Sequence, residues 1–496
     1  MTNLFEHFED NLPRNRQGVF LESAAVSYTF SELMDASARY AHALARLGVT
    51  PGDRVLVQVE KSAEAVLLYL ACLRTGAIYV PLNTAYTASE MAYFLDDASP
   101  TLVVVEPTRR FEVKHSHVLT LFDDDGLAGR SETESKEFDT ATREDNDIAA
   151  ILYTSGTTGR SKGAMLSHSN LSSNALTLLK AWDWQRERDV LVHALPIYHV
   201  HGLFVALHCA LLGGSRMIFL ESFHVDTVLE AFQRATVFMG VPTYYTRLLA
   251  DSRFTRERCS GMRLFISGSA PLRDETFREF EKRVGQPILE RYGMTEAGMI
   301  TSNPIAGPRQ AGAVGPPLAD VEARVRGEDG ALAPSGEPGV LEIRGPNVFR
   351  GYWRMEDKTA ESFTDDGWFI TGDVATQDAG GVVRIVGRDK DLIISGGLNV
   401  YPKEIELLID ELPGVDESAV IGVHHPDWGE AVVAIVKAGP GASPGEESII
   451  EALREHIAGF KLPKRVAFID ELPRNAMGKV QKNVLRERYA TTFERA

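Results

Sequence analysis

Cysteine is scarce in this chain. Three residues of 496, Cys72, Cys209 and Cys259, stand far apart with no Cys-x-x-Cys pair. That spacing excludes a disulfide framework and a zinc knuckle, and it points to a reducing compartment, the cytoplasm. Long apolar runs are missing too. The longest, Ala65 to Leu73, covers nine residues, whereas a membrane-spanning helix needs about 20. The first residues, MTNLFEHFED, are acidic and carry no basic stretch followed by an apolar core. Neither a secretory leader nor a membrane partner is therefore expected. Positive charge is in deficit: 52 Lys and Arg against 69 Asp and Glu leave a formal charge of −17. Binding a nucleic-acid backbone needs a basic footprint, so a nucleic-acid partner is not expected either. One stretch reverses the sign. Between Lys461 and Arg488 there are eight Lys or Arg and three acids. It reads as a solvated basic surface, with a segment facing a polyanion as the alternative.

What is present is a globular composition, 44% hydrophobic and 24% charged, in a chain long enough for more than one domain. Short apolar runs alternate with helical patterns. Arg54–Val59, Ala77–Leu82 and Leu102–Val105 read as strands, and Ser62–Arg74 as a helix. Strand, helix and strand with short connections is the signature of a parallel sheet. The rhythm recurs at Asp189–Ala194, Met217–Leu220, Ala235–Gly240 and Arg263–Ser267. Asp123–Asp147 is polar and acid-rich and reads as a surface excursion. From about Gly312, short strand-like runs separated by Gly, Pro and Asp suggest a small antiparallel or barrel-like unit. After Gly387 the pattern becomes mixed. Glu404–Leu412 and Glu447–Ala458 read as helices, and Ser418–Val423 and Ala431–Lys437 as strands. The expected fold class is α/β: a large N-terminal domain (1–387) of parallel-sheet subdomains plus a small β-barrel-like unit, a hinge at 388–391, and a small mobile α+β C-terminal domain (392–496).

The segment Tyr153-Thr154-Ser155-Gly156-Thr157-Thr158-Gly159-Arg160-Ser161-Lys162-Gly163 follows the strand-like run Ile148–Leu152. Glycines let backbone N–H groups turn inward around an anion, and the hydroxyls and Lys162 add donors. A pyrophosphate suits such a nest. No GxxxxGK[ST] spacing can be drawn through it, so it is not a Walker A loop. A flexible Ser/Gly linker is the bland alternative.

This loop resembles the phosphate loop of the adenylate-forming enzymes: acyl-CoA synthetases, peptide-synthetase adenylation domains and luciferases. Further stretches match that family in order. They are Ser267–Leu272 (SGSAPL), Arg291–Glu296 (RYGMTE), Thr371–Asp373 (TGD), Gly387-Arg388 with Lys390-Asp391, and Pro473–Lys479 (PRNAMGK). The resemblance implies a two-step reaction, in which a carboxylate displaces pyrophosphate from ATP and a thiol then displaces AMP. It implies ATP, Mg²⁺ and coenzyme A as cofactor and substrates. Thr154, Ser155, Gly156, Thr157, Thr158, Gly159 and Lys162 would hold phosphates. Ser269, Ala270, Glu290, Arg291, Tyr292, Gly293 and Met294 would line the nucleotide site, with Tyr292 against adenine. Thr295 would bond the α-phosphate and Glu296 would ligate Mg²⁺, a hard cation that takes carboxylate oxygen. Asp373 and Arg388 would hold the ribose. Lys479 would be the catalytic ammonium at the α-phosphate. Lys390 matches the hinge pivot, and Ser395, Gly396 and Gly397 would line the path of the CoA thiol.

The acid substrate is read from Arg291. Its planar fork matches a carboxylate with two parallel bonds. A second carboxylate, the one not being adenylated, would balance it, which points to a short dicarboxylic acid: malonate, with methylmalonate as a branched relative. His199, Ser269 and Met294 would complete that pocket. An ion pair between Arg291 and Glu290 is the competing reading. Successive residues of a strand face opposite ways, which argues against it. Another short-chain acyl-CoA ligase, an amino-acid adenylating enzyme, a luciferase-like oxygenase and a nucleotide-binding module without catalysis are the alternatives. An amino-acid enzyme would be expected to place an acid after Ala235–Gly240 for the α-ammonium, and that run contains none.

Overall fold

The apolar run Ala65–Leu73 lies inside a helix, Ala63–Thr75, every residue of which except Glu64 in its first turn is buried. A helix enclosed on all sides has no polar stripe, which is why its sequence is apolar without period. Ser62 caps it by accepting the Ala65 N–H, and Gly76, at φ +70°, ends it in the left-handed conformation. The helix connects two parallel strands, Arg54–Gln58 and Ile78–Pro81. They belong to a six-stranded sheet that runs, edge to edge, Val118–Thr120, Leu102–Val105, Arg54–Gln58, Ile78–Pro81, Ile148–Thr154 and Lys162–Ser167. The structure, a computed structural model, describes residues 3–110, 113–123, 125–154, 161–395, 398–425, 428–454, 456–457, 459–475 and 479–493.

A second sheet has eight strands in the order Gly298–Ser302, Leu289–Met294, Leu264–Ser267, Val237–Gly240, Val190–His193, Arg216–Phe219, Val19–Glu22 and Ser27–Thr29. Its central strands are parallel. An aromatic core of Phe232, Phe238, Tyr245, Phe254, Phe265 and Phe280 packs against it. Ligands of such sheets sit beyond the carboxyl ends of the strands. Here those ends deliver Ser267 and Met294, followed by the turns that carry the sequence motifs. The strand Leu289–Met294 folds straight back through the turn 295–297 onto the antiparallel strand Gly298–Ser302. Gly293 is obligatory at this return, because a Cβ there would meet the Gly298 carbonyl oxygen at 2.2 Å.

The chain divides into two compact units, residues 1–322 with 343–369, and residues 323–342 with 370–496. The division falls earlier than the expected boundary at 388–391. Most of the small β unit, a four-stranded sheet of Glu322–Arg326, Gly339–Arg344, Phe369–Gln377 and Val383–Arg388, groups with the C-terminal residues rather than with 1–387. The second unit also holds a five-stranded sheet. In it the hairpin Ile393–Ser395/Leu398–Val400 leads to Gly429–Ala438, which is flanked by Val415–His425 and Arg465–Phe468. The helices Pro402–Asp410 and Glu446–Arg454 share its core through Ile405, Ile409, Ile449 and Leu453.

Five of the eight cations in the basic run Lys461–Arg488 lie beside acids of their own unit. Lys461 pairs with Glu404, Arg474 with Glu417, Lys482 with Glu406 and Arg486 with Asp391, and Arg465 lies 3.5 Å from Glu446. Glu406 is 6% exposed, so its pair with Lys482 pins the C-terminal helix Lys482–Arg488 to the body of its unit. The acids lie outside the run in sequence, which is why counting within the run missed them. The described residues of the excursion 123–147 include a short helix, Leu127–Ser131. Among the described residues no helix is long and apolar enough to cross a membrane. The three cysteines are buried and unpaired.

Candidate active site

In the first unit the strands Ile148–Thr154 and Lys162–Ser167 form an antiparallel pair that closes at Thr154 opposite Lys162. The expected phosphate contacts Ser155, Gly156, Thr157, Thr158 and Gly159 lie outside the described residues. The loop's two ends are defined. The Thr154 hydroxyl donates to the Lys162 carbonyl at 3.4 Å, and the Tyr93 hydroxyl holds the Ser161 carbonyl at 2.7 Å. The segment 350–353 lies along the second strand. Met165 N–H donates to the Gly351 carbonyl at 3.0 Å and Trp353 N–H to the Gly163 carbonyl at 2.8 Å. This placement puts the Tyr352 ring 4.1 Å beneath the Lys162 ammonium. The Tyr352 hydroxyl donates to Glu296 Oε1 at 2.9 Å. Lys162 and Glu296, 134 positions apart, are thus brought together by a tyrosine that no sequence motif had indicated.

Glu296 is 6% exposed and sits in the turn after Met294. Its two oxygens are hard donors, and one carboxylate plus substrate phosphates is a usual way to hold Mg²⁺. Among the described residues no group of three or more His, Cys, Asp or Glu is arranged to hold an ion unaided. The donor set therefore fits a cation that arrives with its nucleotide.

Arg291 and Glu290 turn opposite ways on their strand. The Glu290 carboxylate accepts the Gly312 N–H at 3.2 Å, and its backbone carbonyl holds both Asn303 N–H and the Asn303 amide at 3.0 Å. Glu290, expected among the nucleotide contacts, is fixed by these bonds to the segments at 303 and 312. Arg291 is 3% exposed, and its Nε and Nη2 meet no hydrogen-bond partner among the described residues. Burial holds its pKa down to about 9. The guanidinium lies directly over Gly268: a Cβ there would meet Cζ and Nη1 at 2.4 Å. A buried cation with open donors is costly unless an anion is to meet it.

The neighbouring segments add polar atoms. Ser269 adopts a left-handed conformation at φ +72°, and its hydroxyl lies 3.2 Å from His201 Nδ1. His201 Nε2 is buried with no hydrogen-bond partner among the described residues, as is the Ser267 hydroxyl. Burial first, and then the charge of Arg291, keep His201 neutral by pushing its pKa well down. His201, left unassigned from sequence, therefore stands with Ser269. A His two positions beyond His199 was the available signal. The half-buried His199 packs its ring against Tyr198, with centroids 4.6 Å apart. His201 opens a π-helical turn, His201–Ala206, whose Gly202 carbonyl is gripped by His193 Nε2 at 2.9 Å. The half-buried Tyr292, Gly293, Met294 and Thr295 follow Arg291 along the strand and turn, and Ala270 is exposed.

The second unit carries the remaining candidates. Asp373 and Arg388 are cross-strand partners, with Arg388 Nε 2.6 Å from Asp373 Oδ1. Asp373 is 3% exposed, and the Thr371 hydroxyl caps its backbone N–H at 3.1 Å. Lys390 occupies a short 3₁₀ turn, Asp389–Asp391. Ser395 is buried at the end of its strand, whereas Gly396 and Gly397 lie outside the described residues. Lys479 is exposed. Its backbone is fixed by Asn475, whose side-chain oxygen accepts the Lys479 N–H at 3.0 Å and whose N–H donates to the Lys479 carbonyl at 2.9 Å.

Comparison with known proteins identifies the family. The profile of the AMP-binding enzyme family matches residues 8–353, and that of the AMP-binding enzyme C-terminal domain matches 404–479. The crystal structure of ATP-bound MatB from Rhodopseudomonas palustris is 52% identical, covers 99% of both chains and superposes with a TM-score of 0.96. A mitochondrial malonate–CoA ligase of Mus musculus is 35% identical over 92% of this chain and 86% of its own. A feruloyl-CoA synthase of an Amycolatopsis species is 35% identical over 93% of this chain and 94% of its own.

Proposed function

The chain belongs to the AMP-binding enzyme family, and from that premise we propose that it is an AMP-forming ligase that joins malonate to coenzyme A. In the first step one malonate carboxylate oxygen attacks the α-phosphorus of ATP, the bond to the β-phosphate oxygen breaks, and pyrophosphate leaves. In the second the CoA sulfur attacks the acyl carbon, the acyl–phosphate bond breaks, and AMP leaves. Catalysis of phosphoryl transfer is mostly positioning and charge neutralisation. Lys162 and Thr154, with the loop 155–159, are proposed to hold the phosphates. Glu296 would hold Mg²⁺, which neutralises phosphate charge when bound. In the first unit Tyr292 would serve adenine and Thr295 the α-phosphate; in the second, Asp373 and Arg388 would serve the ribose and Lys479 would be the catalytic ammonium. Lys390 is proposed as the pivot at which 392–496 reorients, so that Ser395–Gly397 serve the thiol step. The buried, unpaired cysteines suit the cytoplasm as its location.

The relatives include ligases of both malonate and an aromatic acid, so the substrate is argued from the pocket. The observation that carries malonate is the buried Arg291 guanidinium, two of whose nitrogens have no partner among the described residues. The distal carboxylate of a short diacid fills that vacancy with paired, charge-assisted bonds. His201 and Ser269 stand ready to bond a second carboxylate oxygen. A feruloyl side chain would leave these donors unpaired, and buried polar groups left unpaired discriminate strongly. One added methyl changes affinity by only about 1–3 kcal/mol, so methylmalonate is the proposed secondary substrate. The test is pyrophosphate release over a panel of acids. Malonate should exceed acetate, propionate and octanoate by orders of magnitude. Arg291→Ala should raise the malonate KM while sparing a monocarboxylate; equal activity across the panel would remove the diacid assignment.

A further inference from the structure

A lysine and a glutamate this close in a partly buried site ordinarily pair. Pairing here would neutralise both before the nucleotide arrives. Among the described residues no ion pair joins Lys162 to Glu296. Tyr352 stands between them instead, with its π-face under the ammonium at 4.1 Å and its hydroxyl on the carboxylate at 2.9 Å. We infer that Tyr352 is a positioning residue that keeps the phosphate-binding lysine and the metal-binding carboxylate apart and aimed. The inference rests on the proposed roles of Lys162 and Glu296.

The fold fixes this tyrosine firmly. Its residue forms an isolated antiparallel bridge with Ala164, next but one to Lys162. Its N–H donates to the Thr359 hydroxyl at 2.9 Å. Gly351, at φ +124°, lets the chain pass Thr359, where a Cβ would meet that side chain at 2.5 Å. Phe349 packs edge-on against the ring, with centroids 4.9 Å apart. The ring is 6% exposed, so water competes poorly with either contact. The two halves of the side chain have separable jobs. The hydroxyl holds Glu296 Oε1, which orients the second oxygen for Mg²⁺. Partners that orient a metal ligand typically change metal affinity by about 10–100-fold when removed. The ring supports the ammonium by a cation–π contact and blocks its descent to the carboxylate.

Three variants separate these roles, read out by Mn²⁺ binding (electron paramagnetic resonance with ATP present) and by calorimetric ATP binding in EDTA. Tyr352→Phe keeps the ring. It should weaken Mn²⁺ binding about tenfold, leave metal-free ATP binding unchanged and melt near the wild-type temperature. Tyr352→Leu should weaken both. Glu296→Gln should weaken Mn²⁺ binding more than Tyr352→Phe does. If Glu296→Gln binds Mn²⁺ like wild type, the proposed metal site itself is wrong. If Glu296→Gln loses Mn²⁺ but a folded Tyr352→Phe binds it normally, the tyrosine has no role in aiming the carboxylate and the inference is overturned. The Phe variant suffices should the Leu variant fail to fold.

Discussion

Gly268→Ala tests diacid recognition without removing a charge. The added Cβ would stand 2.4 Å from Arg291 Cζ and Nη1 and 2.7 Å from Nε, against 3.4–4 Å for ordinary contact. The guanidinium must therefore withdraw by about 1 Å, and a misplacement of that size costs about 100-fold in rate. That corresponds to about 2.7 kcal/mol of transition-state stabilisation. The fold should tolerate the change. What yields is the end of a flexible side chain, and Gly268 is not in the left-handed region. The assay is kcat/KM for malonate and for propionate by pyrophosphate release, with the melting temperature recorded alongside. Malonate turnover should fall about 100-fold while propionate turnover stays within about threefold. An unchanged malonate kcat/KM would refute the reasoning, and so would equal losses on both acids, because the guanidinium would then not be reading the distal carboxylate.

Two other outcomes are expected. Lys479→Ala should abolish adenylate formation yet leave thioester formation from supplied malonyl-adenylate largely intact; loss of both half-reactions would contradict its assignment to the first. Stability should also fall in mild acid. Burial lowers the pKa of His168 to about 4 and of His208 to about 3, and His193 and His201 are pushed well down as well. A histidine whose native pKa lies below its unfolded value, about 6.5, stabilises the fold above pH 6.5 and ceases to do so as pH falls towards the native pKa. His168 Nδ1 accepts the Leu4 N–H at 3.1 Å, a bond that protonation at that nitrogen abolishes. His168→Asn should therefore reduce the slope of stability against pH between pH 6 and 4.5 by up to about 1.4 kcal/mol per unit, measured by urea unfolding. An unaltered slope would show that His168 does not titrate with folding.

Much of the fold was legible because its sheets are built from short runs bounded by turn residues. Leu102–Val105 matches its strand end to end, and the strand at Arg263–Ser267 begins one residue later, at Leu264. Arg291 was legible as a candidate because it stands immediately before Tyr292 in the RYGMTE motif and its planar fork matches a carboxylate. What lay under it was not. Only the folded chain places Gly268 against the guanidinium and leaves Nε and Nη2 open. His201 was invisible as a site residue because a histidine in an apolar segment is as often structural as functional, and its contact with Ser269 spans 68 positions. Tyr352 was hidden for the same reason, since an aromatic next to glycine reads as packing. The expected boundary at 388–391 marked a change in sequence character. The compact units are set by how strands pair, which assigns 323–342 to the later residues.

The pairing of the basic run with acids elsewhere in its unit bears on how reactants arrive. The chain's formal charge of −17 already counts the run's cations, and because most of them are matched at close range the run presents little positive surface to set against it. ATP, CoA and a diacid, all anions, must drift in against a repulsive far field before any local donor greets them. Added salt, which shortens the reach of that field to about 8 Å at physiological strength, quickens their encounter with this surface rather than slowing it, the reverse of a protein that lures anions from afar.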